Sequence, residues 1–249
     1  MKVSPLKSTV KPRRVNLEKL RAIQVKLAER VAEEDCFSKL ENVCGLDVSY
    51  SGSLAVACAV TLGLDGLSVV EQACVVSPVY FPYIPTFLSF RELPPLLKAI
   101  RLLKGDVDVF MVDANGVLHP YFLGAASHLG VLIDKPTVGV AKKLLCGKPL
   151  KPRRTSLGVP YTPISFKGRT VGASVQFNSA RPVYVSVGHK VSLETAINLT
   201  FKLSRHRVPE PIRMAHIASR RHASSLRNAP RGSTLSSDGQ PASYRPFDA

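Results

Sequence analysis

The 249-residue chain predicts an α/β protein, a mixed sheet with helices on both faces. Two observations carry this. Three successive β-like runs, NVCGLDVSYS (42–51), SLAVACAVTLG (53–63) and LSVVEQACVVS (67–77), are separated by Ser-Gly and Leu-Asp-Gly punctuation and read as an antiparallel meander. After them, strand-like and helix-like patterns alternate, as in a sheet whose later strands are connected by packed helices.

In chain order, residues 1–14 are polar, basic and proline-bearing, an expected mobile arm. Residues 16–34 place Leu17, Leu20, Ile23, Leu27 and Val31 at helical spacing behind Asn16 as N-cap. This amphipathic helix has no evident chemistry of its own. After the meander, VYFPYIPTFLSF (79–90) is expected to be extended, because Pro82 and Pro85 exclude regular pairing. RELPPLLKAIRLLKG (91–105) reads as a helix with its two prolines in the first turn. VDVFMVD (107–113) is a buried-strand pattern, YFLGAASHLGVLID (121–134) a helix and PTVGVA (136–141) a short strand. GKPLKPRRTS (147–156) is a basic loop, followed by strands RTVGASVQF (169–177) and RPVYVSVG (181–188). SLETAINLTFKLSRH (192–206) is the expected last element, a helix capped by Ser192. From residue 218 the chain is rich in Ser, Arg, Pro and Gly, which predicts a disordered tail to residue 249.

Composition narrows the function. Hydrophobic content of 45% with 21% charged residues is that of a globular protein, and apolar runs break well short of a membrane span. The N-terminal MKVSPLKSTVKPRR lacks the apolar core of a secretory signal. Five cysteines, odd in number and without a CxxC pair, are expected as free thiols of a cytoplasmic protein. Lys and Arg total 34 against 18 Asp and Glu, a net charge of +16, the electrostatic footprint of a nucleic-acid binder.

Asp47 within the first strand and Asp113 at the end of 107–113 are carboxylates in apolar runs, costly unless a cation or donors compensate. Neighbouring aspartates could share Mg²⁺ with a substrate phosphate, and Glu92 would add a third carboxylate. An aspartate at a strand end is more often a turn or cap residue, so spacing alone leaves both readings open. His119, before Pro120 in a loop, is better placed to reach a ligand than His128, which reads as a core imidazole. Lys142, just past a buried strand, could stabilise phosphate charge. Tyr83, stiffened between prolines, could wedge into a base stack or simply pack.

Taken together, GLDVSYSG, YFPYIPTFLSFRE, VDANGVLHPYFLGAASHLG, DKPTVGVAKKLL, VSVGHKVSL and RVPEPIRMAHIASR resemble the endonuclease V family, inosine-directed endonucleases of RNase H-like fold. The resemblance runs in order through roughly residues 15–220 and implies one catalytic domain over 15–217. It implies Asp47, Glu92 and Asp113 as ligands for Mg²⁺, with Mn²⁺ also supporting activity, and His119 and Lys142 as catalytic partners. It implies Pro82, Tyr83, Ile84 and Pro85 as a strand-separating wedge, and Asn115, Gly116, Leu118 and Gly124 as a base pocket. The implied reaction cuts the second phosphodiester bond 3′ to inosine in DNA or RNA, leaving 3′-OH and 5′-phosphate ends, by a monomer. Four positions depart from the family pattern. Thr86 and Ala114 stand where glycines are usual, Tyr121 where arginine follows His-Pro, and His216 where aspartate is more common, which adds an imidazole to the metal set. The alternative to cleavage is an inosine-binding protein on the same scaffold.

Overall fold

The meander forms as expected and becomes one side of a larger sheet. The computed structural model describes residues 15–228. In it β1 (Asn42–Ser51), β2 (Leu54–Gly63) and β3 (Val69–Pro78) pair antiparallel along most of their lengths. The chain then crosses through α2 (Leu88–Arg101) to the other side of β1, where β4 (Val109–Val112) pairs with it in parallel. β5 (Thr137–Ala141) follows α3 (Ala125–Ile133) and extends the parallel part. The remaining strands are β6 (Lys148–Pro149), β7 (Arg153–Arg154), β8 (Pro160–Phe166), β9 (Arg169–Val175) and β10 (Val183–His189). The order is β3-β2-β1-β4-β5-β10-β9-β8-β6, with β7 on β8.

Helices cover both faces. Cys44, Leu46, Phe110 and Val112 pack against α2 and α3. The opposite face, including Val43, Val109 and Met111, packs against α4 (Leu193–Lys202) and the start of α5 (Glu210–Asn228). α1 (Leu17–Ala28) starts on its Asn16 cap, whose side chain accepts the Lys19 N–H. It ends before residue 34; Val31, Phe37 and Leu40 instead pack on the core from an irregular segment.

Several expectations are corrected. α2 begins at Leu88, so Pro94 and Pro95 fall in its second turn and each removes a helical donor; the buried face of Leu93, Pro95, Leu96 and Ala99 holds the helix there. α3 starts at Ala125 because Phe122 is left-handed (φ 55°) and breaks any helix from Tyr121. β8 was hidden by Pro160 and Pro163, and β6 and β7 lie inside the expected basic loop. α5 follows the expected last helix and runs through residues 218–228, so the tail cannot begin at 218. Its second half is polar in sequence, yet Ala223 there packs, with Ala215 and Ala218 of the first half, against Val56, Cys58, Val60 and Leu62 of β2. The basic arm (1–14) and the rest of the expected tail (229–249) lie outside the described residues. Finally, Cys58 and Cys74 are not free thiols: strand register sets them opposite each other and they form a disulfide, leaving Cys36, Cys44 and Cys146 free.

α5 seats on β1 at Gly45, where a Cβ would lie 1.9 Å from the Pro211 carbonyl oxygen. Gly45→Ala therefore has to push helix from strand. Urea unfolding should show a loss of about 3 kcal/mol, the upper end for overpacking; a loss within error would mean that α5 is not seated there.

Candidate active site

The two aspartates meet because their strands are parallel neighbours. Leu46 pairs with Val112, and the Asp113 N–H donates to the Leu46 carbonyl (3.2 Å), so Asp47 and Asp113 are the next residues along each chain. This is the switch point of the sheet, where β1 has β2 on one side and β4 on the other, the location at which open α/β sheets bind ligands. Asp47 is buried (8% exposed). The Ser219 hydroxyl donates to its Oδ2, and His216 Nδ1 lies 3.3 Å from the same oxygen. Lys142, immediately after β5, forms an ion pair with Asp113 Oδ2. Glu92 arrives from α2, on the other face, and accepts from the Tyr50 hydroxyl (3.3 Å). The Arg91 guanidinium lies 4.4 Å from the Tyr50 ring centroid and donates to the Phe81 carbonyl (2.6 Å).

Leu46, Asp47, Val48, Glu92, Leu96, Val112 and Asp113 line a cavity of about 180 Å³. Burial, and next the Asp47 charge, push the Glu92 carboxyl up to about 8. Burial also raises Asp113, against the pull of Lys142. Three acids this crowded and desolvated call for a cation. Asp47, Asp113 and His216 each offer a ligand atom, all within 4.8 Å of one another, and Glu92 shares the cavity. A mainly carboxylate set is what hard divalent ions take, so the residues fit a metal.

A second cavity of about 170 Å³ adjoins it: Asp113 lines the first and Ala114 the second. Tyr83, Thr86, Ser89, Asn115, His119, Leu123 and Gly124 also line it. His119 thus sits on this cavity rather than among the carboxylates, held neutral by burial and then by nearby Arg21, with its imidazole down to about 4. Its Nδ1 accepts the Tyr121 N–H (3.3 Å). Among the described residues Asn115 Oδ1 is buried without a hydrogen-bond partner. Leu118 is instead wholly buried with Ile164 and Val171, and a Cβ on Gly116 would lie 1.9 Å from the Val187 carbonyl oxygen, so both serve packing. His128 bonds Ser89 (2.9 Å) against Phe90, a structural imidazole. Pro82, Tyr83 and Pro85 are exposed with Ile84 half-buried, and Tyr83 is 68% exposed at the cavity mouth.

Sequence reasoning missed the supports. Ser219 sits one turn from His216 on a helix that was not anticipated. α1, read as having no chemistry, holds the wedge loop: Gln24 donates to the Thr86 carbonyl (2.7 Å) and Arg21 to the Thr86 hydroxyl (2.8 Å). Arg21 also stacks on the Tyr121 ring at 3.4 Å. Arg207 donates to the Lys142 carbonyl (2.7 Å). None of these has a local sequence signal, since each contact spans distant parts of the chain.

Mixed sheet, switch-point carboxylates and a lysine beside them define a nuclease that hydrolyses phosphodiester bonds. The endonuclease V family model matches residues 25–217, and this chain belongs to that family, whose members are metal-dependent nucleases. Endonuclease V of Thermofilum pendens is 40% identical over 216 residues, 85% of this chain and 91% of that protein. The crystal structure of endonuclease V from Streptomyces avermitilis is 36% identical with a TM-score of 0.78, covering 88% of this chain and 97% of that one. Endonuclease V of Ciona intestinalis, crystallised with a 24mer DNA containing an inosine followed by a ribo-adenosine, is 30% identical with a TM-score of 0.74, covering 84% and 98%. Among the described residues no helix is long and apolar enough to cross a membrane.

Glu92 gives a pH prediction. Its folded value lies above its ordinary 4.5, so the fold favours the neutral form; that stability is present at low pH and is lost as pH rises from 4.5 through about 8. With metal chelated, Glu92→Gln should therefore gain stability relative to wild type across this window in urea unfolding. A difference constant with pH would contradict the assignment.

Proposed function

We propose that the chain cleaves inosine-containing DNA or RNA at the second phosphodiester bond 3′ to inosine, leaving 3′-OH and 5′-phosphate ends. The observation that carries this reading is the adjacency of the two cavities, one acidic and one lined by loop backbone under an exposed tyrosine, joined at Asp113-Ala114. It is supported by the inosine-containing DNA in the Ciona relative's complex. Mg²⁺ is the proposed cofactor, with Mn²⁺ also effective through His216.

Asp47, Asp113 and Glu92 would hold the metal, with His216 beside Asp47. When bound, it supplies Lewis-acid charge and a water of lowered pKa. Ser219 and His216 keep Asp47 oriented by bonding its outer oxygen. Lys142, held by Asp113, brings positive charge to the phosphate and its leaving oxygen. Asn115, Gly124 and His119 line the space for an extruded base, where the unpartnered Asn115 Oδ1 offers an acceptor. With Nδ1 accepting the Tyr121 N–H, a neutral His119 carries its proton on Nε2 and is a donor. Tyr83 takes the vacated place in the stack. The proposed active form is a monomer; Cys36, Cys44 and Cys146 are free thiols, whereas the Cys58–Cys74 disulfide is not what a reducing cytoplasm favours.

Matched single-stranded RNA and DNA, each with inosine or guanosine at one position, test the reading in Mg²⁺ and Mn²⁺. Cleavage confined to the inosine substrates is expected; equal cutting of guanosine would mean a general nuclease, and binding without cutting a reader. Asp47→Ala should abolish cleavage and keep inosine binding. Tyr83→Ala should leave the fold intact and weaken substrate binding by about 1–3 kcal/mol, the range for loss of one base–aromatic stack. Undiminished affinity would remove Tyr83 from the wedge.

A further inference from the structure

Across β1, β2 and β3, Asp47, Cys58 and Cys74 stand in one row, since Asp47 pairs with Cys58 and Cys58 with Cys74. Directly paired residues project to the same face. α5 covers that face and carries a matching row at one-turn intervals: His216 and Ser219 over Asp47, then His222. A ring nitrogen of His222 and the two sulfurs all lie within 4.8 Å of one another. The carboxylate end of this row is the candidate active site. The sulfur end lines neither cavity, and the proposed reaction does not use it.

We infer that Cys58, Cys74 and His222 form a second metal site, specific for a soft divalent ion of the zinc class and open only when the disulfide is reduced. The chemistry of the donors selects the ion: two thiolates and an imidazole suit zinc, not the hard ions that carboxylates take. His222 Nδ1 lies 2.8 Å from the Ala218 carbonyl oxygen, a contact that only a protonated Nδ1 can make as a hydrogen bond. The lone pair is then on Nε2, and a backbone carbonyl fixing the other nitrogen is the usual support of a metal-bound histidine. The spacing also suits it. Two thiolates on a tetrahedral zinc stand about 3.8 Å apart, given Zn–S distances of about 2.3 Å. Cleaving the S–S bond lets the sulfurs part to that separation within the space they already share with His222.

The opening step balances as thiol–disulfide exchange. A dithiol reductant gives two electrons and two protons to the sulfurs and closes to its own disulfide. Zinc then displaces the two thiol protons, takes the imidazole as third ligand and keeps water in the fourth position. Cys58 is wholly buried, and Cys74 and His222 are half-buried. The ion would bridge β2 and β3 to α5, the helix that carries His216 and Ser219.

Cobalt titration of the full chain tests this, because only thiolate ligation gives a sulfur-to-cobalt charge-transfer band and carboxylate-bound cobalt does not. Protein reduced with a dithiol, then freed of it without air, should develop the band and lose it on adding Zn²⁺. Oxidised wild type, which involves no substitution, should give no band. His222→Ala should weaken cobalt binding at least about tenfold, and Cys74→Ser, which leaves Cys58 as the one thiolate, should weaken both the band and cobalt binding. Zn²⁺ should raise the Tm of the reduced wild type by more than that of the oxidised protein, in which the carboxylate site alone can take it. No band in the reduced protein, an unchanged band in Cys74→Ser, or unaltered affinity in His222→Ala would each overturn the proposal; the second would move the thiolates to Cys36, Cys44 or Cys146, and the third would remove the imidazole.

Discussion

Asp47, Asp113 and Glu92 share one small cavity, and their mutual repulsion and desolvation shape what surrounds them. An unpaired buried carboxylate is too costly to keep charged, and the protein meets that cost differently at each acid. Asp113 has Lys142, Asp47 has the Ser219 hydroxyl and His216, and Glu92 is left to the Tyr50 hydroxyl and a raised pKa. Only one of the three is thus matched by a full positive charge. The imbalance is stability given up so that a divalent ion can be bound, since ion binding would relieve both the repulsion and the proton held by Glu92.

The fold makes this arrangement rigid from both faces. Parallel pairing of β1 and β4 sets the two aspartates side by side, and α2 brings Glu92 from one face while α5 brings His216 and Ser219 from the other. Rigidity on the α5 side rests on close approach. Gly45 admits the Pro211 carbonyl, and small residues along α5 let it lie against β2, so the groups that orient Asp47 cannot drift independently of the strand that carries it.

The meander, the strand before Asp113 and the strand before Lys142 were legible because alternation and apolar runs are local signals. The carboxylates stood out for the same reason, as charges inside apolar strands. What was not legible is tertiary. α5 is polar through its second half and begins with prolines, and only contact with β1 and β2 makes it a helix face. Cys58 and Cys74 looked like small hydrophobes because their pairing depends on strand register. His119 and Leu118 lie one residue apart, yet one lines a cavity and the other is core, a distinction set by the turn around Phe122 rather than by spacing.

Two of the four departures expected from the resemblance, Thr86 and Tyr121, are linked in the structure. Thr86 is left-handed at φ 69°, a conformation that glycine adopts freely and a β-branched residue rarely does. It is held there by Gln24 on its carbonyl and Arg21 on its hydroxyl. The same Arg21 stacks on Tyr121, the residue standing where an arginine is usual, so a guanidinium still occupies the neighbourhood of His119 but is supplied by α1. A threonine that would strain a free loop thus becomes the point through which α1, the Tyr83 loop and the His119 turn are tied together. The loop loses the freedom of glycine, and Tyr83 is presented from a fixed base at the mouth of the second cavity.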